Sequence, residues 1–241
     1  ILLYQAFQSP LPRFAHLALI LGPDRKKLSK RHGVTSVLHF KEKGYLALAM
    51  FNFLAQMSWS PGPEERIYSV EEMIPEFSLD KLSKGSPIFD LVKLDWLNSR
   101  LISAMPADEL FPFLREMLLK AGLWRESLAL ESKPWFLRLI DLLKVRSRTI
   151  QELAESARPF LSDDFSLDPA GREKYLSDVR LKALLAKLRE DFLKIQDFAA
   201  ANIEQALRRR SEVEGVKAAL FIHALRLLAV GKTVSPGIFE V

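Results

Sequence analysis

The chain has 241 residues, of which 49% are hydrophobic and 27% charged, with a formal net charge of +5. That balance excludes a disordered tail, a fibrous repeat and a membrane-spanning protein, since no apolar run approaches the roughly 20 residues a bilayer span needs. Zero cysteines exclude a disulfide scaffold, a thiol nucleophile, an iron–sulfur site and cysteine-ligated zinc, and fit a cytoplasmic protein.

The chain opens on Ile1-Leu2-Leu3-Tyr4 and closes on Phe239-Glu240-Val241, with no signal-peptide pattern. Both ends read as cuts inside folded structure, so a fragment of a longer protein is expected. Charge is uneven. Residues 1–60 carry eight basic and two acidic side chains, residues 61–140 ten and thirteen, and residues 141–241 seventeen and fifteen. A basic excess at both ends suits a long polyanion, or else a solvated mixed-charge surface.

In chain order, Leu17-Ala18-Leu19-Ile20-Leu21 is a short apolar run closed by Gly22-Pro23-Asp24, which predicts one buried strand leaving into a basic loop. Helical periodicity dominates from residue 45. Leu46, Met50, Phe53, Leu54 and Met57 predict one apolar face of a helix ending before Pro61-Gly62-Pro63. Ser69 with Glu72 three residues on has capping-box spacing. Leu91–Ile102 predicts a strong helix with Leu94, Leu97 and Leu101 on one face, and Trp59 and Trp96 read as packing residues. Another helix opens at Pro106-Ala107-Asp108-Glu109 and stops at Gly122. Helices follow over Lys133–Val145, Thr149–Ala157, Asp178–Ile195, Ala200–Arg210 and Val213–Ala229, the last stopping at Gly231. The fold class is mainly α.

The informative segment is Leu21–Gly33, with Arg25, Lys26, Lys27, Lys30, Arg31 and His32 between glycines. So many like charges on a short loop suit a polyphosphate counterion, although a solvated basic turn has the same composition. The spacing lacks the Walker pattern. Lys27-Leu28-Ser29-Lys30-Arg31 resembles the lysine–methionine–serine–lysine–serine signature of class I aminoacyl-tRNA synthetases. The surrounding words narrow this further: Leu21-Gly22-Pro23-Asp24, His32-Gly33, Gly44-Tyr45-Leu46, Trp59-Ser60-Pro61, Phe89-Asp90, Lys93-Leu94-Asp95-Trp96-Leu97-Asn98 and Ser235–Glu240. In that order they closely resemble the bacterial-type glutamyl-tRNA synthetase family, as a C-terminal fragment.

The resemblance implies a remnant of the class I catalytic and stem-contact region over 1–104. An all-helical anticodon-binding cage would follow, split into subdomains 105–160 and 161–241, the second truncated. It implies that residues 27–31 (Lys27, Leu28, Ser29, Lys30, Arg31) form the loop closing over ATP. Lys30 would stabilise the triphosphate as pyrophosphate leaves, and Lys27 would hold the loop and its charge. Arg31 stands in place of the final serine, as is common in the family, and Leu28 in place of methionine. Met57-Ser58 and Leu101 depart more mildly, where a Leu-Gly pair and a tyrosine are usual. The intact enzyme would use ATP with Mg²⁺ and glutamate to charge glutamate-accepting tRNA, as a monomer. The fragment alone is expected to be inactive, because the histidine–isoleucine–glycine–histidine signature of the family is absent from it.

Candidate RNA contacts are Arg138, Lys144, Arg146, Arg148 and Arg208 with its neighbours Arg209 and Arg210, and Trp135, Phe136 and Phe160 are possible stacking partners. Trp135 and Phe136 read more readily as core, with Leu139, Ile140 and Leu143. Asp95 and Asn98 would touch tRNA backbone or brace an adjacent loop. His16, His32, His39 and His223 are spaced unsuitably for a shared metal site. The rival reading is a stand-alone helical tRNA-binding or scaffold module without catalysis. A glutaminyl synthetase is disfavoured because it reads the anticodon with β-barrels, and the queuosine-modifying relative because it has no anticodon region.

Overall fold

The structure, a computed structural model, describes residues 1–29, 36–59 and 66–240. The chain divides into two units, Ile1–Ala104 and Met105–Val241. Among the described residues there is no sheet, only isolated bridges at Leu21 and Trp59.

The first unit holds α1 (Leu2–Ala6), α2 (Val37–Glu42), α3 (Ala47–Ser58), α4 (Val70–Glu76) and α5 (Leu91–Ala104). The predicted strand does not form. Leu17 and Leu19 stand 65% and 59% exposed. Only Leu21 is bridged, to Lys27 and to Ile88. A strand needs a neighbour along its length for its N–H and C=O groups, and an apolar run alone does not supply one.

Around α3 and α5 the core consists of Phe40, Met50, Phe53, Leu94 and Leu97, flanked by Tyr45, Met57, Ile67 and Phe89. Leu54, expected on this face, is exposed. It sits about 80° around the helix from Leu46, because eight residues overshoot two turns of 3.6. Ala49 and Asn52 take the buried face instead. Asn52 is fully buried, a role no apolar pattern announces. Its Oδ1 accepts the Tyr68 N–H at 2.8 Å, while its Nδ2 donates to Leu48 O and Tyr68 O at 2.9 Å each. That one amide ties α3 to the approach to α4. The capping box at α4 forms as its spacing predicts: Ser69 Oγ accepts the Glu72 N–H and Glu72 accepts the Ser69 N–H. Trp59 is buried with Tyr68 and Met73. Trp96, in contrast, is 40% exposed and corrects the packing expectation, because Leu94, Leu97 and Asn98 occupy the buried side of α5.

In the second unit are α6 (Ala107–Lys120), α7 (Lys133–Lys144), α8 (Ile150–Leu161), α9 (Pro169–Tyr175), α10 (Leu181–Phe192), α11 (Ala200–Val213) and α12 (Ala218–Val230). Helices α6, α7 and α8 pack on one another, and α12 packs on α8, α9 and α11. The later helices share a buried cluster of Leu184, Leu188, Leu207 and Phe221. Thr149 caps α8 by accepting the Glu152 N–H at 3.1 Å. The last two helices part later than the periodicity predicts: α11 runs through Val213, and Gly215 at φ +64° turns the chain. Gly231 ends α12 in the left-handed region, where a Cβ would meet Ser166 O at 2.6 Å.

Replacing Asn52 by alanine strands the buried Tyr68 N–H and C=O, so Asn52→Ala is expected to cost about 2–3 kcal/mol. Urea unfolding followed by circular dichroism checks this, and an unchanged midpoint would refute it.

Candidate nucleotide and RNA contact surfaces

The basic segment begins in a tight hairpin. The Leu28 N–H donates to Ile20 O at 2.9 Å, the Gly22 N–H to Lys26 O at 2.7 Å and the Arg25 N–H to Gly22 O at 2.9 Å. Asp24 Oδ1 accepts the Lys26 N–H at 3.0 Å and closes the turn from inside. Arg25 takes the corner at φ +60°, a conformation costing a non-glycine residue about 1–2 kcal/mol. Three successive cations, Arg25, Lys26 and Lys27, are therefore presented outward. None forms an ion pair with a described residue. Leu28 and Ser29 are half-buried, which turns the apolar position of the motif inward. Lys30 and Arg31, the other motif positions, lie outside the described residues, as do His32 and Gly33.

The turn after α2 is held from α5. Asn98 accepts the Leu46 N–H at 2.8 Å and donates to Gly44 O at 3.4 Å, and the Tyr45 hydroxyl donates to Asp95. Asp95 and Asn98 thus brace the 44–46 turn, the structural one of their two expected roles.

In the second unit the expected RNA-facing cations sort into two groups. Arg138, on α7, and Arg146, just beyond it, are exposed and pair with no described acid. Lys144 is committed: only 13% of its side chain is exposed, and its Nζ binds Asp141 at 2.6 Å and Met105 O at 2.8 Å. Arg148 lies along Glu152, donating through Nε at 3.2 Å and through its own backbone N–H at 2.9 Å. Arg208 is exposed but engaged by Glu204 at 2.6 Å, and Arg209 points outward without such a partner. Arg210 is the structural member of its trio. It forms a forked pair with Asp191 at 2.6 and 2.7 Å and reaches Glu214 at 3.1 Å, joining α10 to α11. Lys187 completes that network on Glu214 at 2.8 Å. The Arg210 guanidinium holds the Asp191 carboxyl below the usual carboxylate range.

Among the aromatics, Phe136 is core as expected, but Trp135 is 40% exposed. The stripe 136–139–140–143 faces inward, and position 135 lies one residue, about 100°, off it. Trp135 therefore joins Arg138 on the outer side of α7, contrary to its reading as core. Phe160 is half-buried. Two further features carry no signal in the linear pattern. Arg115 lies over the Trp124 ring at 5.1 Å, and His223 stacks on Tyr175 at 4.6 Å.

Residues 107–241 match the family model described as an anticodon binding domain. The chain belongs to that family. Residues 1–96 match the model for the catalytic domain of class I tRNA synthetases (E and Q). Relatives named glutamate–tRNA ligase cover the chain. That of Thermodesulfovibrio yellowstonii is 39% identical over 239 residues, 99% of this chain and 51% of its own. Glutamate–tRNA ligase 2 of Koribacter versatilis is 39% identical over 243 residues, 100% of this chain and 50% of its own. A solved glutamate tRNA ligase from Elizabethkingia meningosepticum, in complex with its amino acid, superposes with a TM-score of 0.78 at 28% identity, over 99% of this chain and 50% of that one. The chain spans about half the length of the relatives it matches, and the match lies in their C-terminal half.

Because its folded-state pKa is depressed, Asp191 contributes stability above its unfolded value of about 3.9, and that contribution is lost as pH falls through the folded value. Asp191→Asn is therefore expected to lose less of its stability than the parent chain between about pH 4 and pH 2. Thermal unfolding across that range checks it, and parallel pH profiles would refute the pairing.

Proposed function

We propose that this chain is the C-terminal part of a glutamate–tRNA ligase, supplying the ATP-closing basic loop and the contacts to the tRNA stem and anticodon. The observation that carries the reading is the unbroken similarity to glutamate–tRNA ligases along the whole chain, with a catalytic-domain match at the front and an anticodon-binding match behind. The intact enzyme would activate glutamate with ATP, release pyrophosphate and pass the glutamyl group to the terminal ribose of tRNA.

Exposed cations on a closed hairpin fit a triphosphate, and Lys27 stands where the first lysine of the motif is expected. Lys30 is assigned the charge that builds up on the leaving phosphates, by its place in the motif. A preorganised cation aimed at developing charge is worth about 3 kcal/mol. Mg²⁺ would arrive with the nucleotide and neutralise phosphate charge. No three His, Asp or Glu side chains of the described residues gather into a metal-holding group.

For the RNA, Arg138, Arg146 and Arg209 are the preferred contacts, with Trp135 as a stacking face, because their charges are not neutralised by a described neighbour. Arg148 and Arg208 are secondary, since binding RNA would require them to exchange a carboxylate for phosphate or base. Lys144 is set aside because its charge is spent within α7 and on the Met105 carbonyl. Residues 105–160 and 161–241 are proposed as successive anticodon-binding subdomains, and the enzyme as a cytoplasmic monomer. The rival, a tRNA-binding module without catalysis, shares the helical half but leaves the basic hairpin without a purpose.

In the full-length ligase, Lys30→Ala is expected to slow glutamate-dependent pyrophosphate exchange by roughly 10²-fold while tRNA affinity stays near the parent value. Unchanged exchange kinetics would remove the assignment.

On the 241-residue chain, tRNA binding is expected to weaken steeply with salt, as counterion release dictates. A glutamate-accepting tRNA should outcompete one with an altered anticodon by a few-fold, on the order of 1 kcal/mol. Arg138→Ala or Arg146→Ala should shrink that preference more than Lys41→Ala. Equal competition by all tRNAs at every salt concentration would favour the non-catalytic module.

A further inference from the structure

Two segments flank residues 30–35: the hairpin ending at Ser29, and α2. Both meet at one residue, Phe89, the hairpin at its backbone and α2 at its ring. On the leading side the Phe89 N–H donates to Leu21 O at 2.8 Å and the Leu21 N–H donates to Pro87 O at 2.8 Å, so Leu21 is gripped on either side of Ile88. On the trailing side the Phe89 ring lies 5.7 Å from that of Phe40, the buried residue of α2. The same ring meets Phe53 of α3 edge-on at 4.9 Å, and Phe40 meets Tyr45 edge-on at 5.3 Å. Phe89 also adjoins the start of α5, where Asp90 Oδ1 accepts the Val92 N–H at 2.9 Å.

We infer that Phe89 is a positioning residue for the basic hairpin, tying the hairpin's base at Leu21, through its own backbone, to Phe40 and Phe53, through its ring. This rests on the ligase reading of that hairpin. The physical argument is the hairpin's own weakness. Arg25, Lys26 and Lys27 repel one another and are exposed, and of residues 21–29 only Leu21, Gly22, Leu28 and Ser29 are drawn inward, so the hairpin is placed by its base. Helix α5 already fixes the trailing side through Asp95 on Tyr45 and Asn98 on Leu46 and Gly44. The leading side is joined to that frame by the backbone at Pro87–Phe89. A ring seated between Phe40 and Phe53 makes that backbone rigid. A shorter side chain would let the hairpin drift relative to α2, and misplacement by about 1 Å is enough to cost up to 10²-fold in a phosphoryl-contacting step.

The test separates placement from catalysis. On the 241-residue chain, Phe89→Leu removes the ring edges but keeps an apolar side chain, and Phe89→Tyr keeps the ring. Limited trypsin digestion is expected to cut after Arg25, Lys26 and Lys27 at least several-fold faster in Phe89→Leu than in the parent or Phe89→Tyr. Cutting after Lys81, Lys84 and Arg189 should be unchanged. Equal hairpin cleavage in all three chains overturns the inference. So does a uniform rise at every site, which would mean general loosening of the unit. In the full-length ligase, Phe89→Leu is expected to lower kcat for glutamate-dependent pyrophosphate exchange about 10-fold with KM for glutamate unchanged, and Phe89→Tyr to restore it. Selective hairpin cleavage with parent-like exchange overturns the catalytic consequence. A parent ligase without exchange activity even with glutamate-accepting tRNA present refutes the ligase reading, and the digestion then still decides whether Phe89 places the hairpin.

Discussion

The first unit depends on one buried amide. Asn98, inside α5, accepts the Leu46 N–H and donates to Gly44 O, and so satisfies the backbone groups that open α3. A turn carrying unpaired N–H and C=O groups cannot be buried against a helix without losing 1–3 kcal/mol per group, on the order of what a folded domain can spare. With those groups paired, Leu46 and Met50 of the following helix can seal the apolar contact with Leu94 and Leu97. Asn52 repeats the device two helices earlier, in α3, on Tyr68. The unit is thus a small apolar core whose chain entries are fixed by two amides, and the cations of its basic hairpin are left on the outside.

Charge in the second unit is divided by the same economy of partners. Cations that face carboxylates across or along helices, such as Arg210 with Asp191 and Arg148 with Glu152, act as joints. Arg138, Arg146 and Arg209 are exposed and form no ion pair with a described acid. Exposed single pairs contribute little to stability, so the forked, half-buried Arg210–Asp191–Glu214 cluster, with exposed Lys187 at its edge, matters more than the surface pairs around it.

Much of the helical body is legible in the linear pattern, because burial repeats at 3.6 residues and its stops have local chemistry. Ser69, Thr149, Gly122 and Gly231 mark helix ends through bonds made within a few residues, and those bonds need no distant partner. The short α1, α2 and α9 lack enough turns to show a period, and escaped it. The basic motif was equally legible, since its spacing and neighbouring words lie along the chain.

The sequence by itself determined the helical class, the caps, the basic signature and the family order of its blocks, all of which are local or serial properties. Tertiary structure alone decided that Leu17–Leu21 forms no strand, because pairing needs a second chain segment that composition does not name. It decided that Trp96 and Trp135 face outward although both are large and apolar, because burial belongs to whichever helix side meets a neighbour. It also decided which arginines are joints and which are free, since Asp191 lies nineteen residues from Arg210 in the chain but within hydrogen-bonding distance of it in space. That proximity is a product of helix packing, and no spacing rule along one chain contains it.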